Sequence, residues 1–293
     1  MEGLTETDGD IETDGLTETE GEIEGLIETE GLRAALKTER IARRVIYLDE
    51  TTSTNDEVAR RLAEDDADGL VVIAEHQTAG RGRRGRAWHS PRSASVLASV
   101  AIVDREEAFP GGCLALVCGI AVVDALSPCV DVRPTLKWPN DVLARGKKLA
   151  GILVESRTVR GGARCFILGI GINCLQHGGH FPDELADNAT SVELESGQPV
   201  DRTAICASLL NELDGWLAVA DRCRGPALRD AWLARSDILG KRIEIGENGG
   251  RYRGHVVDLD PEAGLIVRLD TGQVRVLHSG DTTDIDEGRR VTA

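Results

Sequence analysis

The chain has 293 residues, a formal net charge of −16 and a hydrophobic content of 41%. This length allows about one to three domains, and the hydrophobic content excludes a wholly disordered chain. No apolar run approaches the roughly 20 residues of a membrane helix and the N-terminus lacks a signal-peptide pattern, so we expect a cytoplasmic protein with no membrane partner.

The acidic charge is concentrated at the start of the chain. Residues 1–30 contain twelve carboxylates and no Lys or Arg, in a degenerate Gly-Leu-Thr-Glu-Thr repeat. Like-charge repulsion and few large apolar groups predict that this segment cannot offset its ordering entropy. We therefore expect a disordered acidic tail over residues 1–38. The rest of the chain carries only −4 and is analysed separately.

From residue 39 onward the pattern becomes that of a folded domain. Short apolar runs rich in β-branched residues predict strands at 45–48, 70–74, 95–103, 151–155 and 165–170. Helical periodicity predicts helices that begin near Asn55 and that cover 112–127 and 201–221. Interleaved strands and helices indicate one α+β domain with a mixed sheet over residues 39–236.

The last part of the chain has a different texture. Short strands, separated by turn signals such as Asp-Pro-Glu-Ala-Gly, are predicted at 241–245, 251–259, 265–269 and 273–277. This pattern predicts a small β-barrel over residues 237–293. Because so small a module is marginally stable alone, we expect it to dock on the main domain.

Seven cysteines are scattered through the chain without a Cys-x-x-Cys pair. We interpret them as reduced thiols that serve as small hydrophobic side chains. The segment from Cys174 to His180, with a further His at 177, fits no standard zinc spacing, so no metal site is predicted.

The most unusual segment is an Arg-Gly segment between Glu75 and Pro91, where four Arg alternate with Gly and no carboxylate follows until Asp104. Arg forks bind carboxylates and phosphates, and Gly permits close backbone approach, so this pattern predicts an anion site. Gly80-x-Gly-x-x-Gly85 also matches the dinucleotide fingerprint, but no helix start follows and we reject that function. A solvated basic loop and an Arg-Gly RNA-binding protein are the alternatives.

Lysines form a second focus. Three of the five Lys lie at 137, 147 and 148, although the chain uses 29 Arg. This concentration indicates a need for a compact ammonium group that Arg cannot replace. A hairpin with exposed lysines is the alternative interpretation.

Five motifs occur in an order that resembles the biotin protein ligases, also called biotin–[acetyl-CoA-carboxylase] ligases. They are Ser53-Thr-Asn55, Glu75-x-Gln77-x-Ala-Gly-Arg-Gly-Arg-Arg-Gly-Arg-x-Trp88, Lys137-Trp-Pro-Asn-Asp141, Lys148-Leu-Ala-Gly-Ile-Leu-Val-Glu155 and Gly169-x-Gly-x-Asn173. The resemblance covers about residues 45–293 and implies a biotin/lipoate ligase-like catalytic domain followed by an SH3-like barrel. Bifunctional members of that family carry an N-terminal winged helix that binds operator DNA. An acidic tail occupies that place here, so we expect no DNA partner and no repressor activity.

The resemblance also implies an activity. Such enzymes use ATP, accompanied by Mg²⁺, to convert biotin to biotinyl-5′-adenylate. They then transfer biotin to a lysine of a biotin carboxyl carrier domain of a biotin-dependent carboxylase. A lipoate–protein ligase, which shares the fold and the adenylate chemistry, is the nearest alternative enzyme, and a homodimer is left open.

Site residues are carried over through the motifs. The resemblance implies catalytic roles for Arg83, Lys137, Lys147 and Lys148. It implies biotin contacts for Ser53, Thr54, Asn55, Gln77, Gly80, Arg81, Gly82, Arg83, Lys148 and Gly151. It implies ATP contacts for Arg84, Arg86, Trp88, Asn140, Asp141, Gly169, Gly171 and Asn173. Ser53 also suits a helix N-cap, and we expect it to serve both purposes. The Arg-Gly segment would close over the adenylate and shield it from water.

Overall fold

The computed structural model describes residues 10–13, 27–63, 67–109, 112–131, 133–159, 161–222, 225–247, 250–279 and 282–287. Within these ranges the strands form an eight-stranded mixed sheet and a five-stranded antiparallel sheet. The predicted α+β class and the predicted division into a larger mixed sheet and a smaller β module are confirmed.

The larger sheet forms the frame of the main domain. Its strands are β1 (Asp10–Thr13), β2 (Arg44–Thr51), β3 (Val71–Gln77), β4 (Ser95–Asp104), β5 (Thr135–Lys137), β6 (Asp141–Ala144), β7 (Lys147–Thr158) and β8 (Arg164–Asn173). They lie in the order β1-β2-β3-β4-β8-β7-β6-β5, with β1, β2 and β3 parallel and the rest antiparallel. In this register Gly151 of β7 lies directly opposite Gly171 of β8.

Helices cover both faces of this sheet. They are α1 (Thr29–Ala35), α2 (Thr54–Arg61), α3 (Cys113–Leu126), α4 (Asp183–Ala186), α5 (Val192–Ser196), α6 (Arg202–Arg222) and α7 (Pro226–Ala234). Helix α3 packs on α6 over one face, whereas α2 packs on the other face with its own apolar cluster. All ten residues of β4 are therefore buried, which explains why most of them are apolar. None of the helices in the described ranges is long and apolar enough to cross a membrane.

The smaller sheet forms the C-terminal module. Its strands are β9 (Arg242–Glu247), β10 (Gly250–Asp260), β11 (Gly264–Leu269), β12 (Val274–Leu277) and β13 (Thr282–Glu287), in the order β12-β11-β10-β9-β13. Its buried side chains, among them Ile245, Val267 and Leu277, belong to the same apolar cluster as the helices of the main domain. This continuous core confirms that the module docks, and the sheet is compatible with an SH3-like domain.

The boundary predicted for the acidic tail is wrong. Residues 27–38 belong to the folded domain, because α1 packs on α6 and buries Leu32, while Ile27 is only 2% exposed. The backbone N–H of Ile27 donates to the carboxylate of Glu75 at 3.1 Å. Asp10–Thr13 also forms a strand, which pairs with β2. The remainder of the predicted tail, residues 1–9 and 14–26, lies outside the described residues.

The cysteines behave as the sequence predicts. Six of them lie in the described ranges, all six are free thiols, and all except Cys129 are buried. Burial raises the pKa of the Cys165 thiol to about 11 and that of the Cys206 thiol to about 12. These groups are therefore neutral, unreactive parts of the core.

Candidate active site

Segments that are far apart in the chain line one cavity of about 430 Å³. The segments are the start of α2, the end of β3 with the Arg-Gly segment, the β5–β6 turn, β7 and β8. The predicted site residues that it brings together are Ser53, Thr54, Asn55, Gln77, Arg81, Gly82, Arg83, Arg84, Arg86, Trp88, Lys137, Asn140, Asp141, Lys148, Gly151, Gly169, Gly171 and Asn173.

Two predicted site residues are not part of the lining that the described residues provide: Gly80 and Lys147. A Cβ at Gly80 would lie 3.1 Å from both the carbonyl oxygen of Trp88 and Nε2 of Gln77, so this glycine closes the base of the loop. Lys147 precedes Lys148 on β7, and successive side chains of a strand point to opposite faces.

The first wall of the cavity is a polar one at the start of α2. Ser53 occupies the N-cap position in an extended conformation, but its hydroxyl makes no capping hydrogen bond among the described residues. The expected double role of Ser53 is therefore wrong on the capping side. Thr54 instead ties the helix start to β3, because its N–H donates to Oε1 of Gln77 at 2.7 Å.

Hydrogen bonds extend this polar wall across the sheet. The Ser99 hydroxyl on β4 lies 2.7 Å from the Thr54 hydroxyl and donates to Oδ1 of Asn55 at 2.6 Å. Nδ2 of Asn55 donates to Oε2 of Glu155 on β7 at 2.7 Å. Asn55 is thus held at both ends of its amide, with its side chain in one orientation.

Arg81 joins the Arg-Gly segment to this wall. Its guanidinium donates to the two oxygens of Asp56 at 2.7 and 2.6 Å and to Oε2 of Glu155 at 3.0 Å. The hydrogen bond from Arg81 lowers the pKa of Asp56, and Asp56 in turn raises the pKa of Arg81. The repulsion expected among the clustered Arg is therefore offset, at Arg81, by the protein's own carboxylates.

The tip of the segment is a tight turn. A single 3₁₀ turn covers Arg83–Gly85, with φ of 57° at Arg84 and 73° at Gly85, and extended backbone follows at Arg86. The N–H of Gly82 closes the turn on the carbonyl oxygen of Arg86 at 2.7 Å. No α-helix begins at this turn in the described part of the chain, whereas a dinucleotide-binding loop opens an α-helix.

Arg83 links the turn to the rest of the molecule. Its guanidinium donates to Oδ1 of Asn140 at 3.2 Å and to the carbonyl oxygen of Ser279 in the C-terminal module. Burial, together with the neighbouring Arg84 and Arg86, lowers its pKa. The C-terminal module therefore takes part in holding a cation at the edge of the cavity.

Lys148 provides an ammonium group inside the cavity. Its Nζ lies 2.7 Å from Oδ1 of Asp141 and 5.6 Å from the ring centroid of Trp88. Its backbone is fixed on both sides, because its N–H donates to the carbonyl oxygen of Asn188 and its carbonyl accepts from Thr190. The ammonium is thus presented from a rigid strand.

Three glycines make room for protein side chains. A Cβ at Gly171 would lie 2.7 Å from the Trp88 indole, and one at Gly169 would lie 2.3 Å from Oδ1 of Asn55. At Gly151 the nearest atom would again belong to Trp88, at 2.9 Å. The resemblance implies ATP contacts for Gly169 and Gly171 and a biotin contact for Gly151, whereas in the structure Trp88 or Asn55 occupies the space beside each of them.

Asn173 shapes the cavity through the hydrogen bonds of its side-chain amide. Its Nδ2 donates to the carbonyl oxygen of Thr190 at 2.9 Å, and its Oδ1 accepts from Gln176 at 3.2 Å. The side chain is 4% exposed. Asn173 therefore fixes the segment that follows β8 against β7.

Several lining or networking residues were missed by the sequence analysis. Asp56 stands next to the Ser-Thr-Asn motif, and Glu155 ends the fourth motif, but neither was given a role. Ser99 carried no signal, because it lies in an apolar strand. Other unassigned lining residues are Leu97, Trp138, Phe181, Leu185, Asn188 and Ala189.

Among the described residues, no group of three or more His, Cys, Asp or Glu is placed to hold a metal ion. Cys174 is buried, whereas His177 and His180 are exposed and stack 5.3 Å apart.

Comparisons with known proteins show the family of the chain. Residues 45–173 match the family model described as the biotin/lipoate A/B protein ligase family. The biotin–[acetyl-CoA-carboxylase] ligase of Mycobacterium tuberculosis is 39% identical over 244 residues, which cover 80% of this chain and 87% of that protein. The bifunctional ligase/repressor BirA of Bacillus subtilis is 31% identical over 264 residues, covering 88% of this chain and 79% of that protein.

A solved structure shows the same fold. The biotin protein ligase from Aquifex aeolicus, in complex with biotin and ATP, superposes with a TM-score of 0.71 at 27% identity. The match covers 83% of this chain and 99% of that one. Together with the sequence relatives, it shows that the chain belongs to the biotin protein ligase family and is a ligase.

Proposed function

We propose that this chain is an ATP-dependent biotin protein ligase. It forms biotinyl-5′-adenylate and then transfers biotin to a lysine of a biotin carboxyl carrier domain. The observation that carries the proposal is that all five motifs line one cavity of about 430 Å³. A cavity of this size accommodates a small-molecule ligand, and its lining includes both neutral polar side chains and cations.

The polar wall suits the ureido ring of biotin. Ser53, Thr54, Asn55 and Gln77 offer hydroxyl and amide groups that both donate and accept hydrogen bonds. A ureido group needs the same mixture, since its carbonyl accepts and its two N–H groups donate. The internal hydrogen bonds of Asn55 and Thr54 hold these groups ready before a ligand enters.

The cationic side chains of the lining suit the reacting groups. In the first step a carboxylate oxygen of biotin attacks the α-phosphorus of ATP, the bond to the bridging oxygen breaks, and pyrophosphate leaves with the bonding electrons. Two anions must approach each other, so Lys148 and Arg83 would offset their repulsion and stabilise the charge that develops on the phosphoryl oxygens. The same cavity is also lined by Lys137, Arg84 and Arg86.

Mg²⁺ would enter with ATP and be held mainly by its phosphates. It would neutralise part of the triphosphate charge. The cavity carboxylate of Asp141 is paired with Lys148, so the chain offers no ready carboxylate cluster for the ion among its described residues.

The second step is an acyl transfer. The neutral amine of the acceptor lysine attacks the carbonyl carbon of the biotinyl-adenylate, an amide bond forms, and AMP leaves. The Arg-Gly segment, which lies over the cavity, would exclude water from the mixed anhydride until the acceptor arrives.

A repressor function is not expected. Residues 1–30 of this chain have twelve carboxylates and no basic residue. DNA binding depends on clustered Lys and Arg. A biotin-operator sequence should therefore bind the purified chain no better than random DNA.

Biotin-dependent exchange of pyrophosphate into ATP tests the proposal. The wild-type chain should catalyse exchange with biotin, and Lys148→Ala should reduce it by at least about 100-fold, in the range known for lost charge stabilisation. Lys147→Ala is the matched control, because that neighbouring residue lies off the cavity. Unchanged exchange in Lys148→Ala would remove its catalytic role, and exchange with lipoate alone would favour a lipoate–protein ligase.

A further inference from the structure

Arg81 is held by carboxylates of the protein itself, in a geometry stronger than that of a simple surface ion pair. The guanidinium makes two parallel hydrogen bonds to Asp56 and a third to Glu155, at 2.6 to 3.0 Å. The three side chains are 29%, 43% and 20% exposed. Such bidentate, charge-assisted bonds fix orientation as well as distance.

The two carboxylates stand on rigid elements. Asp56 belongs to the first turn of α2, and Glu155 belongs to the long strand β7. Arg81 lies in neither element, because it is the first of the four arginines of the Arg-Gly segment. That segment is closed into a loop by the bond from the Trp88 N–H to the Gly80 carbonyl at 2.9 Å. Holding Arg81 therefore holds the stem of the whole loop.

Glu155 also connects the loop to the polar wall. One oxygen, Oε2, accepts hydrogen bonds from both Asn55 and Arg81. Asn55 is in turn fixed by Ser99. Arg81 in the stem of the loop and Asn55 in the polar wall thus both bond to Oε2 of Glu155. A displacement of the loop stem would therefore also displace the polar wall.

We propose that Asp56 and Glu155 are positioning residues that act through Arg81 to hold the Arg-Gly loop over the cavity and retain the bound adenylate. Arg81 is then a positioning residue as well, rather than the ligand of biotin that the resemblance implies. The inference rests on the proposed function, because the retained molecule is biotinyl-5′-adenylate.

A double-mutant cycle tests this inference. The full chain and its variants Asp56→Ala, Arg81→Ala and Asp56→Ala/Arg81→Ala are loaded with labelled biotin and MgATP, and adenylate release is followed after a chase with unlabelled biotin. Each single variant should release adenylate at least about tenfold faster, because a hydrogen-bonded charge is lost. The double variant should be no faster than Arg81→Ala, because Asp56 acts only through Arg81.

Two further variants keep the outcome decisive. Asp49→Asn breaks the ion pair with Arg92, just beyond the loop, and should leave release unchanged. Glu155→Gln keeps the shape and one acceptor, and should speed release in the same direction as Asp56→Ala. Thermal unfolding of each variant checks that it is folded.

The results separate the two proposals. If the wild-type chain forms no biotinyl-adenylate, the proposed function fails. If it forms the adenylate but Asp56→Ala and Glu155→Gln release it at the wild-type rate, the positioning role is overturned. Multiplying effects in the double variant, or equal acceleration by Asp49→Asn, would also overturn it.

Discussion

Two arginine–carboxylate clusters of the molecule differ in burial. Arg202 and Glu75 have side chains that are 0% exposed, and Oε2 of Glu75 lies 2.8 Å from NH1 of Arg202. Glu75 also accepts hydrogen bonds from Tyr47 and from the N–H of Ile27. Burial, followed by the charge of Glu75, raises the pKa of Tyr47.

The cluster around Arg81 is more exposed and lies at the cavity. Water screens it, so its carboxylates contribute little to the stability of the fold. Ion pairs between arginine and carboxylates therefore have a different role in each of the two clusters. The cluster of Glu75 and Arg202 holds the N-terminal segment and α6 to β3, whereas the cluster of Arg81 joins the Arg-Gly segment to α2 and β7.

The largest expected effect comes from breaking the buried cluster. Arg202→Ala leaves the carboxylate of Glu75 buried without its cation and should lower the free energy of unfolding by about 3–5 kcal/mol. Urea unfolding measures this loss. Arg229→Ala, which removes an exposed partner of Asp258, is the matched control and should cost much less than Arg202→Ala, because water screens an exposed ion pair. Equal losses in the two variants would contradict the comparison.

Removal of the N-terminal segment sharpens the same comparison. A chain that begins at Gly25 keeps Ile27 and Leu32, whereas one that begins at Glu39 loses both buried side chains. The shorter chain should be less stable by about 3 kcal/mol, since burying each such side chain contributes about 1.5–3 kcal/mol. Thermal and urea unfolding of the two chains measure the difference. Equal stability would mean that residues 27–38 are not part of the domain.

Substitution at the cavity should affect stability less and ligand binding more. Gly171→Ala places a methyl group 2.7 Å from the Trp88 indole and should cost about 1–3 kcal/mol through overpacking. Because Trp88 must move, the KM for biotin should rise in the exchange assay. Gly178→Ala, where a Cβ would meet open space, is the control. An unchanged KM for Gly171→Ala would mean that the position of Trp88 does not matter.

The smallest effect concerns pH. The pKa of Asp56 is lowered in the folded protein, chiefly by the hydrogen bond from Arg81, with Arg157 and Arg60 adding to it and burial opposing it. Its contribution is therefore complete above about pH 4, the ordinary pKa of Asp, and is lost as pH falls through the lowered value. The stability difference between wild type and Asp56→Asn should be at most about 1 kcal/mol at pH 6 and shrink below pH 4. A difference that grows with acid would contradict this sign.

Much of the fold could be predicted because its signals are local. The mostly apolar sequence of β4 and the periodicity of α6 identified their elements directly, and the turn signals identified the C-terminal module. Short strands such as β5 and β6 carry too few residues for a pattern. Helix α1 was hidden by the acidic repeat around it, because its stability comes from Leu32 packing on α6.

The site was predicted less completely than the fold. Motif residues that line the cavity were found because their types and order are distinctive. The roles of Gly169 and Gly171 could not be predicted, because the side chains that fill the space beside them come from other segments. The roles of Asp56, Ser99 and Glu155 could not be predicted either, because these residues join the site only through tertiary contacts. The hydrogen bond from Asn55 to Glu155, for example, spans 100 residues of the chain, and no local sequence pattern predicts it.

The most direct test of the account is transfer of biotin to a carrier. The purified full chain is incubated with biotin, MgATP and a biotin carboxyl carrier domain, and the carrier is analysed by mass spectrometry. If the chain is a biotin protein ligase, the carrier should gain the mass of one biotinyl group on its acceptor lysine. It should gain none when that lysine is replaced by Arg. A carrier that stays unmodified with biotin, or that is modified only when lipoate is supplied, would contradict it.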